Sequence, residues 1–239
     1  MKKIRQINTQ VDNKNWQELF NIQFNNLQQK NGISRIWING FSKLGIDNSK
    51  VPNAEYLNKI SEKYTGWIFI ESDSTVILSP REWYQMVAKR QMQVNRFVRT
   101  VEELSYCDEP DKWHDIIGHI PFLMESEYSD MYVKLANLYL ESENDAEVRK
   151  YVDFIGAYVI ELGLIKEDGV VRALGATLYS SSGELELSYK RENIEYFDKT
   201  KIFEAKKYDR SSFQGKYYII DSIKQISNLI DELALSLNK

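Results

Sequence analysis

Apolar side chains recur along most of this chain at intervals of three and four residues, the spacing that lines one face of a helix. Residues 15–30 place Trp16, Leu19, Phe20 and Leu27 near that spacing, and Asn31-Gly32 supplies a stop. A second helix is expected from Pro52 to just before Thr65-Gly66, followed by a short strand at Trp67-Ile68-Phe69-Ile70. Ser79-Pro80-Arg81-Glu82 combines an N-cap serine, a proline at the first helical position and a glutamate that completes a capping box. Trp83, Val87, Val94, Phe97, Val98 and Val101 carry an apolar face onward, which predicts a helix through to about Leu104. Further helices are expected over 126–140 and 145–163, the second with Val148, Tyr151, Val152, Ile155, Tyr158, Val159 and Leu162 on one stripe. Asp168-Gly169 between two apolar pairs signals a hairpin, and a last amphipathic helix fills about 222–237. The pattern describes a mainly α protein with small β elements.

No repeat, low-complexity tract or Gly/Ser/Pro linker divides the 239 residues, so one continuous domain is expected. Within it, residues 1–50 are expected to form an N-terminal helical segment packed on the main body, residues 51–239. A net charge of −4 offers nothing to a nucleic acid or an anionic membrane, and no apolar run reaches the ~18 residues of a membrane span. A single cysteine, Cys107, excludes an intrachain disulfide, and with no signal-peptide pattern at the N-terminus a cytoplasmic protein is expected.

Two features stand out chemically. The predicted helix over 80–104 carries Arg81, Lys89, Arg90, Arg96 and Arg99; most should face solvent, but at least one could point inward. Only two histidines occur, His114 and His119, in Trp113-His114-Asp115-Ile116-Ile117-Gly118-His119-Ile120-Pro121. Five residues apart, they diverge by about 140° on an ideal α-helix. They would converge only if the helix ended between them, and Gly118 and Pro121 are suited to such an end. This spacing departs from that of zinc peptidases without excluding a metal. No cysteine pair could complete a site, so the third ligand would be a carboxylate. Glu161, at the edge of the 145–163 stripe, is partly buried there and needs a partner. Two histidines and one carboxylate suit a non-haem Fe(II) centre; the alternative is a pair of hydrogen-bonded core histidines.

Glu109-Pro110-Asp111-x-x-His114-Asp115-Ile116-Ile117-Gly118-His119-Ile120-Pro121 resembles the metal-binding signature of the pterin-dependent aromatic amino acid hydroxylases, Glu-Pro-Asp-x-x-His-Glu-Leu-Leu-Gly-His-Val-Pro. Tyr158-Val159-Ile160-Glu161-Leu162-Gly163-Leu164 resembles that family's aromatic-Thr-Val-Glu-Phe-Gly-Leu segment. Gly175-Ala176-x-Leu178-x-Ser180-Ser181-x-Gly183-Glu184-Leu185 is similar to its Gly-Ala-Gly-Leu-Leu-Ser-Ser-x-Gly-Glu-Leu, and Phe213-Gln214-x-x-Tyr217-Tyr218 to a further Phe-Gln-x-x-Tyr-Tyr. The four segments follow family order between about residues 50 and 235.

The resemblance implies a catalytic domain of mostly helical fold. It implies an enzyme that uses Fe(II), tetrahydrobiopterin or a related tetrahydropterin, and O₂ to hydroxylate the ring of an aromatic amino acid. His114, His119 and Glu161 would hold iron. Arg99 would grip the substrate carboxylate with Ser180 beside it, Cys107 standing where the family has a threonine, and Pro110 and Ala157 would complete the substrate contacts. Trp83 would stack on the pterin, with Val76-Ile77-Leu78-Ser79 as the pterin loop. Asp115 replaces a glutamate that reaches pterin, and Glu184 would orient an iron-ligating histidine. Ala157 stands where the family has a tryptophan or phenylalanine, which opens the pocket unless Tyr158 or Tyr179 fills it. Phenylalanine-to-tyrosine conversion by a monomer is expected. Hydroxylation of tryptophan or of another ring position, or a non-catalytic pterin- and amino-acid-binding protein, are the alternatives.

Overall fold

In the computed structural model, which describes residues 9–72, 78–205, 208–209 and 212–237, the chain begins with α1 (Thr9–Gln29). Its Trp16, Leu19 and Leu27 are fully buried, and the Trp16 ring meets Trp113 edge-on at 5.2 Å between centroids. A helix absent from the sequence reading follows, α2 (Arg35–Leu44), with Ser34 as N-cap and Gly45 at φ 58° closing it. Both caps are sequence signals of the ordinary kind. This helix matters to the site: Trp37 Nε1 donates to the Ile117 carbonyl at 2.8 Å, and a Cβ on Gly40 would fall 1.7 Å from the Pro121 oxygen. Only glycine lets the two backbones cross so closely.

α3 (Ala54–Ser61) starts two residues later than expected because the Asn53 side chain caps it, accepting from Tyr56 N. β1 (Ile68–Ser72) follows; Asn58 of α3 pairs with both backbone groups of Phe69. α4 (Pro80–Ala88) begins with the anticipated capping box, in which Ser79 and Glu82 bond each other's backbone. Its end corrects the expected helix to Leu104. Arg90 takes φ 54°, the chain reverses, and Gln91–Asn95 forms β2, parallel to β1. Met92 and Val94 alternate inward there with a period of two, and Val94 also fell on the helical stripe, seven residues after Val87, only by coincidence. Pairing with β1, about twenty residues upstream, decided the matter. Val76 and Ile77 of the expected pterin loop lie outside the described residues.

The chain then makes a π-helical turn at His114–His119, continues through α5 (Ile120–Leu123) and α6 (Ser126–Glu141), and enters α7 (Ala146–Ile155), capped by Asp145. The single helix expected over 145–163 is divided: α7 gives way to a second π-helical turn at Gly156–Glu161. β3 (Leu164–Glu167) and β4 (Val170–Ala173) form the predicted hairpin, with Asp168 and Gly169 both at positive φ as a tight turn requires. Two short helices, α8 (Ala176–Ser180) and α9 (Ser182–Ser188), lead to β5 (Ile194–Tyr196) and β6 (Tyr217–Ile220). The second sheet has the order β4-β3-β6-β5 with β6 parallel to both neighbours. α10 (Ile223–Leu237) covers α6, with Lys134 bonded to Asp231 at 2.8 Å. Among the described residues no helix is long and apolar enough to cross a membrane.

Candidate metal centre

The histidines converge by a route other than the one their spacing suggested. The helix does not end between them; it widens. Ile120 N bonds back to Asp115 O, an i→i+5 link that places residues five apart on the same side of the turn. Pro121 sits at the start of α5 and does not terminate the run. Gly118 serves close packing, since a Cβ there would lie 2.7 Å from the Ala176 carbonyl oxygen. The two Nε2 atoms are 3.0 Å apart. His114 Nδ1 lies 2.8 Å from Ser180 Oγ; with the proton on Nδ1 and donated to that hydroxyl, the Nε2 lone pair is free for an ion. Burial pushes the His114 imidazole down to about 4, which keeps it neutral.

Glu161 closes the second π-helical turn, where Leu162 N bonds to Ala157 O at 3.1 Å. Its Oε1 lies 3.4 Å from His119 Nε2 and its Oε2 3.6 Å from His114 Nε2. Neighbouring ligands on an octahedral ion with bonds of about 2.1 Å are about 3 Å apart, so the three groups need close only slightly on a cation. Donor set and spacing therefore fit a metal. α8 stands between the two π-helical turns: a Cβ on Gly175, just ahead of it, would come 2.3 Å from the Glu161 carbonyl carbon and oxygen.

Beside this cluster Arg99 is 3% exposed, whereas Arg81, Arg90 and Arg96 remain on the surface or half-buried. Arg99 Nε and Nη2 donate to Asp111 Oδ1 at 3.0 and 2.6 Å, and Nη1 to the Ser180 carbonyl at 3.1 Å. A guanidinium has five N–H donors, so two are left untaken by the described residues. Asp111 also accepts from Arg99 N and from His114 N. It occurs in the sequence motif, but its double duty was not read there; an aspartate three residues ahead of a helical turn is the cap signal that could have shown it. Asp111 and Ser180 thus bind both the arginine and the histidine.

Other predicted site residues fall as follows. The Ser180 hydroxyl is directed at the His114 ring. Glu184 touches neither histidine: it accepts from Gln214 N at 3.1 Å and from the Tyr217 hydroxyl, so the Phe-Gln-x-x-Tyr-Tyr segment holds it instead. Burial raises its carboxyl above the usual range. The histidine contact expected of Glu184 is made by Ser180. Asp115 is bound through Oδ2 by Asn95 N and Nδ2 at 2.7 and 3.0 Å, and burial pushes it up to about 7. Asn95, at the end of β2, was hidden by the misread helix. The Cys107 thiol donates to the Glu109 carbonyl at 3.1 Å, and burial raises it to about 11, while Pro110 is exposed. Trp83 is half-buried with its indole N–H on the Tyr132 hydroxyl at 3.1 Å; Leu78 is also half-buried. Ala157 is buried on the second π-helical turn. Of the two rings suggested to fill the space beside Ala157, Tyr158 packs with Phe154 and Tyr218, and Tyr179 stacks on Trp37 with its hydroxyl on Ser34.

Two histidines and one carboxylate converging from two helical turns form the ligand class of non-haem iron(II) oxygenases. A model of the biopterin-dependent aromatic amino acid hydroxylases matches residues 2–239, and the chain belongs to that family. It is 25% identical over 202 residues to the phenylalanine-4-hydroxylase of Pseudomonas aeruginosa, covering 84% of this chain and 75% of that protein. Against the phenylalanine-4-hydroxylase of Ralstonia nicotianae the identity is 29% over 197 residues, covering 80% of this chain but 60% of the relative's length. The crystal structure of Chromobacterium violaceum phenylalanine hydroxylase with iron(III) and 7,8-dihydrobiopterin superposes with a TM-score of 0.83 at 25% identity, over 97% of this chain and 83% of that one.

Proposed function

We propose that this chain is a monooxygenase that uses Fe(II), a tetrahydropterin and O₂ to hydroxylate the ring of an aromatic amino acid, converting phenylalanine to tyrosine. The observation that carries this reading is the shared anchoring of Arg99 and His114 by Asp111 and Ser180, which sets a guanidinium with two untaken N–H groups beside the His114–His119–Glu161 cluster. His114, His119 and Glu161 would hold the iron. When bound, iron and tetrahydropterin together supply the reductive activation of O₂ that delivers one oxygen atom to the ring. The two untaken N–H groups of Arg99 would receive the substrate carboxylate, fixing the amino acid so that its ring faces the centre. Pro110, Cys107 and Ala157 would border that substrate. Trp83 would stack on the pterin with Leu78 beside it, and Asp115, held by Asn95, would hydrogen-bond the pterin. A cytoplasmic monomer accompanies this reading; the single cysteine supports the compartment, and sedimentation would test the oligomer.

Anaerobic reconstitution with Fe(II), followed by tetrahydrobiopterin, O₂ and phenylalanine, should yield tyrosine with a +16 mass shift. A second reading, favoured by Ala157 and by the commitment of Tyr158 and Tyr179 to other aromatic contacts, is a wider pocket that hydroxylates tryptophan or another position of phenylalanine. Screening all aromatic amino acids separates the two. No hydroxylated product despite bound iron would overturn both, in favour of a binding protein.

A further inference from the structure

The family segment similar to residues 175–185 has glycine where this chain has Thr177, and that threonine is placed against a metal ligand. Thr177 Oγ1 donates to Glu161 Oε2 at 2.8 Å. Three residues further along α8, Ser180 Oγ lies 2.8 Å from His114 Nδ1. Positions three apart share one side of a helix, so α8 presents two hydroxyls to two different ligands at once. The helix itself has little freedom: the contacts at Gly118–Ala176 and Gly175–Glu161 leave no room for even a methyl group. Glu161 is also the ligand most in need of a hold. A glutamate side chain has three rotatable bonds where that of a histidine has two, and the Glu161 side chain is 23% exposed while that of His119 is 5% exposed.

We infer that Thr177 is a positioning residue for the metal centre, fixing the Glu161 carboxylate through Oε2 so that Oε1 is the oxygen presented to the ion. The inference rests on the reading of His114, His119 and Glu161 as a metal site. A hydroxyl that engages one carboxylate oxygen sets the plane of the group and weakens that oxygen as a competing donor. Removing it takes away that constraint on the carboxylate plane and on which oxygen attaches to the ion.

Co(II) serves as the probe, because its visible d–d bands report ligand number and geometry. Full-length protein is titrated with Co(II) as wild type, Thr177→Val, Thr177→Ala and Thr177→Ser, with His119→Ala as the control that removes a ligand. Loss of an outer partner of a metal ligand typically costs about 10–100-fold in metal affinity. Thr177→Val and Thr177→Ala should weaken Co(II) binding by at least about tenfold and alter the d–d bands, while Thr177→Ser restores both. Melting of the metal-free proteins should be alike, since valine matches threonine in shape. Two hydroxyl-free variants keep the test intact if one of them folds poorly. Wild-type affinity and spectrum in Val and Ala would overturn the role of Thr177 and leave the metal centre standing. Failure of the wild type to bind Co(II) any better than His119→Ala would overturn both.

Discussion

Two buried polar clusters lie side by side in this protein, and they are built on opposite electrostatic plans. Around Asp111 the charges are balanced within the chain: its carboxylate takes the Arg99 guanidinium, the Arg99 backbone N–H and the His114 backbone N–H. Around Glu161 the lone pairs of two imidazoles and a carboxylate converge instead, their ligand atoms within 4.8 Å of one another. Leaving a buried charge unpaired is costly, so the first cluster belongs to folding. In the second, an ion from solution fits the converging donors, and the chain has only to hold them in place. The difference separates what stabilises the molecule from what equips it.

That contrast sets the order of expected effects. His119→Ala or Glu161→Ala should lose iron and hydroxylation together, measured as bound metal and product, while metal-free unfolding changes little. A large stability loss in the metal-free form would erase the distinction between the clusters. Asp111→Ala should differ by lowering the unfolding free energy of the metal-free protein by about 3–5 kcal/mol in urea, because it strands a buried guanidinium, and by releasing Arg99 and His114 it should weaken activity as well. Arg99→Ala should weaken substrate binding by about 2–5 kcal/mol, seen as a raised KM with kcat less affected. Equal loss of kcat at unchanged KM would contradict its role at the substrate carboxylate. Gly118→Ala introduces a methyl 2.7 Å from the Ala176 oxygen and should cost about 1–3 kcal/mol in stability, with metal affinity falling as α8 is pushed away. Ser79→Ala, far along the chain in the α4 capping box, should cost about 1 kcal/mol on thermal unfolding and leave Co(II) affinity unchanged.

Much of the site was readable because its chemistry is written in residue types. Two histidines in the whole chain and a carboxylate at the edge of an apolar stripe were enough to nominate the metal ligands, while the family resemblance singled out Arg99 among five basic residues as the inward guanidinium. Roles that depend on which atom meets which were not readable. Ser180 and Glu184 fit the same motif equally well, yet one meets the imidazole and the other is held by Tyr217 and Gln214. Asn95 was out of view because Val94 fits both the helical stripe of Val87 and Val98 and the strand alternation with Met92.

The sequence by itself determined what short-range forces settle. The Ser79–Glu82 box starts α4, Asp168-Gly169 turns the hairpin, and the periodicity of 126–140 and 222–237 marks α6 and α10; each depends on residues within a few positions of one another. Tertiary structure decided where helices widen and where one stops. Two π-helical turns hold the ligands because Trp37 anchors the Ile117 carbonyl, Gly118 admits Ala176, and Gly175 admits the backbone of Glu161. β2 exists because β1 offers it a partner. The energies that favour an α-turn over a π-turn, or a helix over a strand, differ little within a short segment. Contacts made by distant parts of the chain therefore tip the balance, and no local pattern records them.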